Sequence, residues 1–131
     1  MTKVFGLDFE TYRGQSIKAL DTDAEAFRDR FITPGSGMAM TYLTKLREAE
    51  AFLANTEISI FETPHITAEA GIDGMTRMEK ATQIVVTAYE WTNLSARIDA
   101  LRIVKKKEIE AASTPAEIRT ILQFHWESTL D

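Results

Sequence analysis

The stretch Thr76–Ala112, TRMEKATQIVVTAYEWTNLSARIDALRIVKKKEIEAA, decides how the rest of the chain reads. Thr76 and Glu79 stand three apart at its start. That is the spacing at which a threonine oxygen receives the third helical amide while the glutamate reaches back to the cap amide. Behind them Ala81, Val85, Ala88, Trp91, Leu94, Ile98 and Leu101 recur at intervals of three, four and seven, which aligns them along one side of a helix. Continued through Ile109 to Ala112, the pattern gives a helix of about 35 residues, or roughly 50 Å at a rise of about 1.5 Å per residue.

A helix of that length exceeds what short neighbours can cover in a small globule. Its C-terminal half, residues 98–112, therefore either protrudes or meets copies of itself. Ile84, Trp91, Ile98 and Lys105 recur every seven residues, with Leu94 and Leu101 in a second register, the outline of a coiled-coil seam that Lys105 and Glu108 break in its third heptad. Two readings stay open. One is an intramolecular helix-hairpin core; the other is a symmetric bundle of several chains with Trp91, Ile98 and Leu101 as its self-association residues.

On the C-terminal side, Thr114 as cap, Pro115 at the first helical position and Glu117 at the third form the clearest helix start in the chain. Ile118, Ile121, Leu122 and His125 share the inner face that follows. On the N-terminal side, Pro34, Gly35 and Gly37 end one helix and set a tight corner before the next, whose Ala39, Tyr42, Leu46, Ala49 and Leu53 form a core-facing stripe closed by Asn55. Thr22 and Glu25 read as a further capping box, opening a short helix with Ala24, Phe27 and Phe31 on one face. Residues 56–74 read as a connection holding Pro64 and a single turn around Ala68 to Gly71.

Residues Lys3 to Tyr12 read differently. Phe5, Leu7 and Phe9 alternate with Gly6, Asp8 and Glu10, a period of two that predicts a β-strand, and Arg13-Gly14-Gln15-Ser16 breaks it. A lone strand cannot satisfy its own backbone groups. It must pair with the alternating stretch Glu57–Phe61, stay a loose arm, or add to the sheet of another protein. In the last case Phe5, Leu7, Phe9 and Tyr12 are the partner-binding residues. The expected fold is mainly α: a helical hairpin or small bundle of three to four helices, with a long third helix and a short N-terminal β-strand or arm. The expected organisation is an N-terminal arm over 1–20 and a helical domain over 21–131.

Composition narrows the function classes. A chain of 131 residues is long enough for a real core and short for two ordinary domains. Its 44% hydrophobic and 27% charged residues are those of a globular protein. A formal charge of −5 argues against a nucleic-acid partner, which favours a basic face. Zero cysteines exclude disulfides and thiolate metal sites. No run approaches the roughly 18 apolar residues of a membrane helix, and Asp8 and Glu10 interrupt the only N-terminal apolar stretch, against a signal peptide. No membrane partner is therefore expected.

Several constellations resemble chemistry without completing it. Gly6-Leu7-Asp8-Phe9-Glu10-Thr11 is similar to the first motif of proofreading-type exonucleases, whose two carboxylates share one strand face for two-metal hydrolysis. The later acidic motifs and strands of that fold have no match here. His65 and Glu69 are four apart, but Pro64 and Gly71 leave only a turn to hold them as metal ligands. Gly35-Ser36-Gly37 precedes a helix without the lysine of a phosphate loop. Lys105-Lys106-Lys107 with Arg102 reads as a solvated helix face. No catalytic residue, cofactor or metal is assigned, and the chain is expected not to be an enzyme.

From about Ala24 to Ile121 the order of features resembles a module of tailed bacteriophages. A short helix comes first, then Thr33-Pro34-Gly35-Ser36-Gly37-Met38-Ala39-Met40-Thr41-Tyr42 with Lys45 and Glu48-Ala49. A linker with Pro64 follows, then Glu69-Ala70-Gly71, Gly74-Met75-Thr76 and a long helix carrying Trp91 and Ile98-Asp99-Ala100-Leu101-Arg102. Residues 1–20 depart from that pattern. The resemblance implies a non-enzymatic virion component, a tail or tail-fibre-associated adaptor or tip protein. Head decoration or a head fibre, and a non-virion assembly chaperone or host-protein binder, are the alternatives. It further implies other virion proteins as partners, homo-oligomerisation (a trimer if the protein is a fibre), and localisation to the virion after the host cytoplasm.

Overall fold

A computed structural model describes the backbone of residues 3–4, 7–31 and 36–131 and the side chains of residues 8–31 and 40–131. The corner at Thr33 to Gly35, like Phe5 and Gly6, lies outside the described residues. The chain is mainly helical. In order it runs β1 (Lys3–Val4), β2 (Leu7–Asp8), α1 (Phe9–Arg28), α2 (Ser36–Ala54), a 3-10 turn (Ile60–Glu62), α3 (Pro64–Asp73), α4 (Arg77–Ala111), α5 (Pro115–Ile121) and a second 3-10 turn (Trp126–Leu130). It divides into two compact units, one of residues 1–32 with 94–131 and one of residues 33–93. The expected boundary at 20/21 instead falls inside α1.

The first unit corrects the reading of the N-terminus. The β-pairing is a minimal antiparallel ladder, Lys3 opposite Asp8 and Val4 opposite Leu7, and it stops where the helix begins. Asp8 terminates it as the cap of α1: at φ −73°, ψ 162° its carboxylate accepts the Thr11 amide at 2.8 Å and the Thr11 hydroxyl at 3.1 Å. Phe9, Tyr12, Ser16, Leu20, Ala24 and Phe27 then follow at helical intervals, so Phe9 ends the apparent strand only by adjacency. The expected break at Arg13–Ser16 is helix, and Thr22 and Glu25 stand in mid-helix. There a capping box has no free amides to cap, because each amide already bonds the carbonyl four residues back.

Leu20, Ile109, Ala112 and Ile118 are buried together, with Phe9, Tyr12, Ile17, Leu122, Phe124 and Trp126 packed around them. Ala24, Phe27 and Ile98 form a second buried cluster with Leu94 and Trp126. Arg13 closes the end of α4 by donating to the carbonyls of Ile109 and Glu110, while its guanidinium lies 4.5 Å from the Phe9 ring centre. This supplies the orphan carbonyls of a helix C-terminus with a cation. The Thr114 hydroxyl accepts the Glu117 amide at 3.2 Å and the Glu117 carboxylate accepts the Ser113 amide at 2.8 Å, which fixes the start of α5.

The second unit is built on apolar packing of Ala49, Phe52, Ile66, Ala81 and Ile84, with Leu46, Ile58 and Val85 against them. Of the expected α2 stripe, Ala49 is buried, but Leu53 is exposed and Phe52 takes the inner place. The connection expected over residues 56–74 is more regular than a loop. Pro64 opens α3 at its first position, and Gly74 ends it at φ 68°, a left-handed backbone that glycine takes without strain. The stretch Glu57–Phe61 is turn and 3-10 helix, not a strand. Thr76 and Glu79 form the reciprocal capping box at 3.1 Å in both directions, and α4 runs unbroken from there.

Candidate functional site

The charged groups with the most specific surroundings lie in the second unit, where α2 meets the start of α3. Glu48 is 7% exposed and its carboxylate is fully used. One oxygen accepts the backbone amides of His65 at 2.8 Å and Ile66 at 3.1 Å, and the other lies 2.6 Å from His65 Nδ1. Thr63, the residue at the cap position of α3, makes no side-chain cap bond. Glu48 therefore caps α3 from another helix, with a full negative charge where the helix dipole favours one. The His65 ring is held by Nδ1 and remains partly exposed.

Nearby charges are partnered in the same way. Lys45 pairs with Glu69 at 2.9 Å, Lys80 is almost wholly buried and binds the Asp73 carboxylate and Gln83 Oε1, and Arg77 donates to the Ile58 carbonyl and Thr63 hydroxyl at 3.0 and 3.1 Å. Arg77 also lies 4.6 Å from the Phe52 ring centre. His65 and Glu69 are thus bonded to two different residues of α2. What the arrangement accomplishes is joining of helices. Sequence reasoning missed Glu48 because its partners lie 17 and 18 residues away, and Thr63 before Pro64 looks like an ordinary cap.

The first unit carries an open apolar recess floored by Leu20, Phe27, Leu122, Phe124 and Trp126 and rimmed by Asp23, Arg30 and Glu127. Its aromatic wall is ordered: Phe27 and Trp126 stack at 6.4 Å, and Phe124 meets Trp126 edge-on at 4.8 Å. Its one lining cation is already in use, with Arg30 over Phe27 at 5.0 Å, and Lys105 lies over Phe124 at 5.3 Å. Glu127 is held below its ordinary value by a hydrogen bond from its own backbone amide to its carboxylate, and Arg30 at 3.2 Å adds to this. In the same unit, hydrogen bonds to Asp99 and then Asp21 hold Arg102 above its ordinary value. Asp8 and Glu10 do not share a strand face: Asp8 caps α1 and Glu10 pairs with Arg13 at 3.2 Å.

The residues expected to bind partners divide. Phe5 and the Leu7 side chain lie outside the described residues. Phe9 and Tyr12 belong to α1 and pack on the core of their own unit, so they are not anchors on an extended strand. Of the expected self-association residues, Ile98 is fully buried against Ala24 and Phe27, and Trp91 and Leu101 are half-buried. Ile98 thus faces the core of its own unit. Large apolar side chains do reach solvent elsewhere, with Phe61 86%, Ile72 83% and Tyr89 69% exposed. Among the described helices none is long and apolar enough to cross a membrane. Comparison with protein families, with characterised proteins and with solved structures finds no match for this chain.

Proposed function

We propose that this protein is a non-enzymatic structural component of a bacteriophage virion, a tail or tail-fibre-associated adaptor that acts through protein–protein contact. The observation that carries the reading is the ordered run of motifs from Ala24 to Ile121, from the Thr33–Tyr42 corner to the Trp91-bearing helix. Its surface suits such a role: the buried charges of the second unit are used to join its own helices, while Phe61, Ile72 and Tyr89 stand in solvent as contact material.

Docking by the N-terminal segment belongs to the same reading. The described ladder is only two residues long on each side, and a strand from a neighbour would extend it. Phe5 and Leu7 are its anchors. Removal of residues 1–7 tests this cleanly, because it spares the Asp8 cap and the core positions Phe9 and Tyr12. Incorporation into particles unchanged by that truncation excludes strand addition. Mass spectrometry of purified particles tests the parent reading: the protein is expected among virion components, and its absence there favours an assembly chaperone instead.

A further inference from the structure

We propose that the apolar recess of the first unit receives an arginine side chain of a partner protein, whose guanidinium is held by Trp126 and Asp23. The recess lies wholly within that unit, between α1 and the chain that follows α5. Its volume is about 440 Å³, ample for one long side chain. Along α1, Leu20 and Phe27 stand seven apart and form the inner wall, and Asp23 lies between them on the same side of the helix. Ala19 and Ala26, four residues before Asp23 and three after it, carry side chains too short to cover its carboxylate.

The lining narrows the occupant to a cation on an apolar stem. Leu122, Phe124 and Trp126 are only half-buried, which leaves apolar surface open for such a stem to lie on. Of the charges at the rim, Arg30 and Glu127 offset each other at 3.2 Å. Asp23 is exposed, and its side chain takes part in no ion pair or hydrogen bond among the described residues. The recess therefore presents one uncompensated negative charge beside apolar surface. Its aromatic wall points to the same chemistry. Phe27 carries Arg30 and Phe124 carries Lys105, whereas Trp126, the ring type that attracts a cation most strongly, carries none among the described residues. An aliphatic side chain in the recess leaves Asp23 unpaired, and an acidic one is repelled by it. A lysine meets the carboxylate only as a point charge. The flat guanidinium of arginine stacks on an indole and offers its N–H fork to a carboxylate at the same time. Arg30 over Phe27 shows that this wall accepts a guanidinium.

This inference rests on the proposed reading of the chain as a protein that acts through protein contact, and it gives the chemistry of one such contact. The probe is N-acetyl-arginine amide, with the neutral isostere N-acetyl-citrulline amide beside it, titrated into the full chain at about 0.15 M salt. Binding is read by NMR from the indole N–H signals of the two tryptophans. The Trp126 signal is expected to shift with a dissociation constant of about 1–10 mM, while that of Trp91, which belongs to the other unit, stays in place. The citrulline probe is expected to bind about fivefold more weakly. Asp23→Asn, at an exposed position and with unchanged helicity, is expected to bring arginine down to the citrulline value. Asp29→Asn, on the same exposed side of the chain but outside the recess, is expected to change the affinity by less than about twofold. No Trp126 shift, or equal binding of the two probes, overturns the proposal. Equal losses from Asp23→Asn and Asp29→Asn also overturn it, because they assign the binding to bulk charge. A Trp126 signal that moves with protein concentration in the absence of probe gives the recess to a second copy and overturns the foreign partner. These results are independent of particle composition: a protein that binds the probe but is missing from virions defeats the virion reading and leaves the arginine site standing.

Discussion

The two units of this protein solve the same problem with different materials. The first is held by apolar volume: Leu20, Ile98, Ile109 and Ile118 are buried and ringed by Phe9, Phe27, Phe124 and Trp126, and its charges lie at the edges as arginine pairs. The second, beside its apolar cluster, places Glu48 and Lys80 in its interior, each held by hydrogen bonds. A core of the first kind fails gradually as volume is lost. A core of the second kind fails at single atoms, because a buried donor left without its acceptor bears the full desolvation cost.

Substitutions can break that contrast, and the largest effect is expected in the first unit. Ile109→Ala or Ile118→Ala should lower stability by about 3 kcal/mol through lost burial and the cavity left behind, read by denaturant titration. Glu48→Ala is expected to cost about 2–3 kcal/mol by orphaning the His65 and Ile66 amides, although it removes little apolar surface. Glu48→Gln should recover part of this. If Glu48→Ala is as mild as an exposed substitution, the difference between the units is wrong. Thr114→Ala, which removes an exposed cap, should cost about 1 kcal/mol. Gly14→Ala goes the other way: a side-chain carbon there meets nothing within 4 Å, and replacing a mid-helix glycine should stabilise by about 0.5–1 kcal/mol.

The smallest effect concerns pH. Burial raises the Tyr42 phenol above its ordinary value of about 10. The folded state then holds this proton more tightly than the unfolded one. The contribution is complete below the unfolded value and is lost as pH rises through the folded one. A modest fall in melting temperature above about pH 10 is expected, and Tyr42→Phe should flatten its tyrosine-dependent part.

What the sequence disclosed depended on the range over which each determinant acts. The starts of α4 and α5 were legible because Thr76 with Glu79, and Thr114 with Pro115 and Glu117, complete their bonds within three residues. The start of α1 was hidden. A period-two run ending at Phe9 abuts a helical run beginning at the same residue, and only the Asp8 bond to Thr11 decides between them. The same local pattern misled at Thr22 and Glu25, where a helix already in progress supplies the bonds. The heptad of α4 was legible, but only the burial of Ile98 shows that the chain itself covers that position. Glu48 was out of reach of any local rule, since the bonds it makes are set by how α2 packs on α3.

That bond has a consequence for how the second unit comes into being. A ten-residue helix whose opening amides are satisfied by a side chain from elsewhere has no autonomous beginning. A peptide of residues 60–75 should be a random coil in water, and helix should emerge in it only when α2 is supplied. The middle of the chain would then acquire its structure as one event, with no stage at which α3 exists alone.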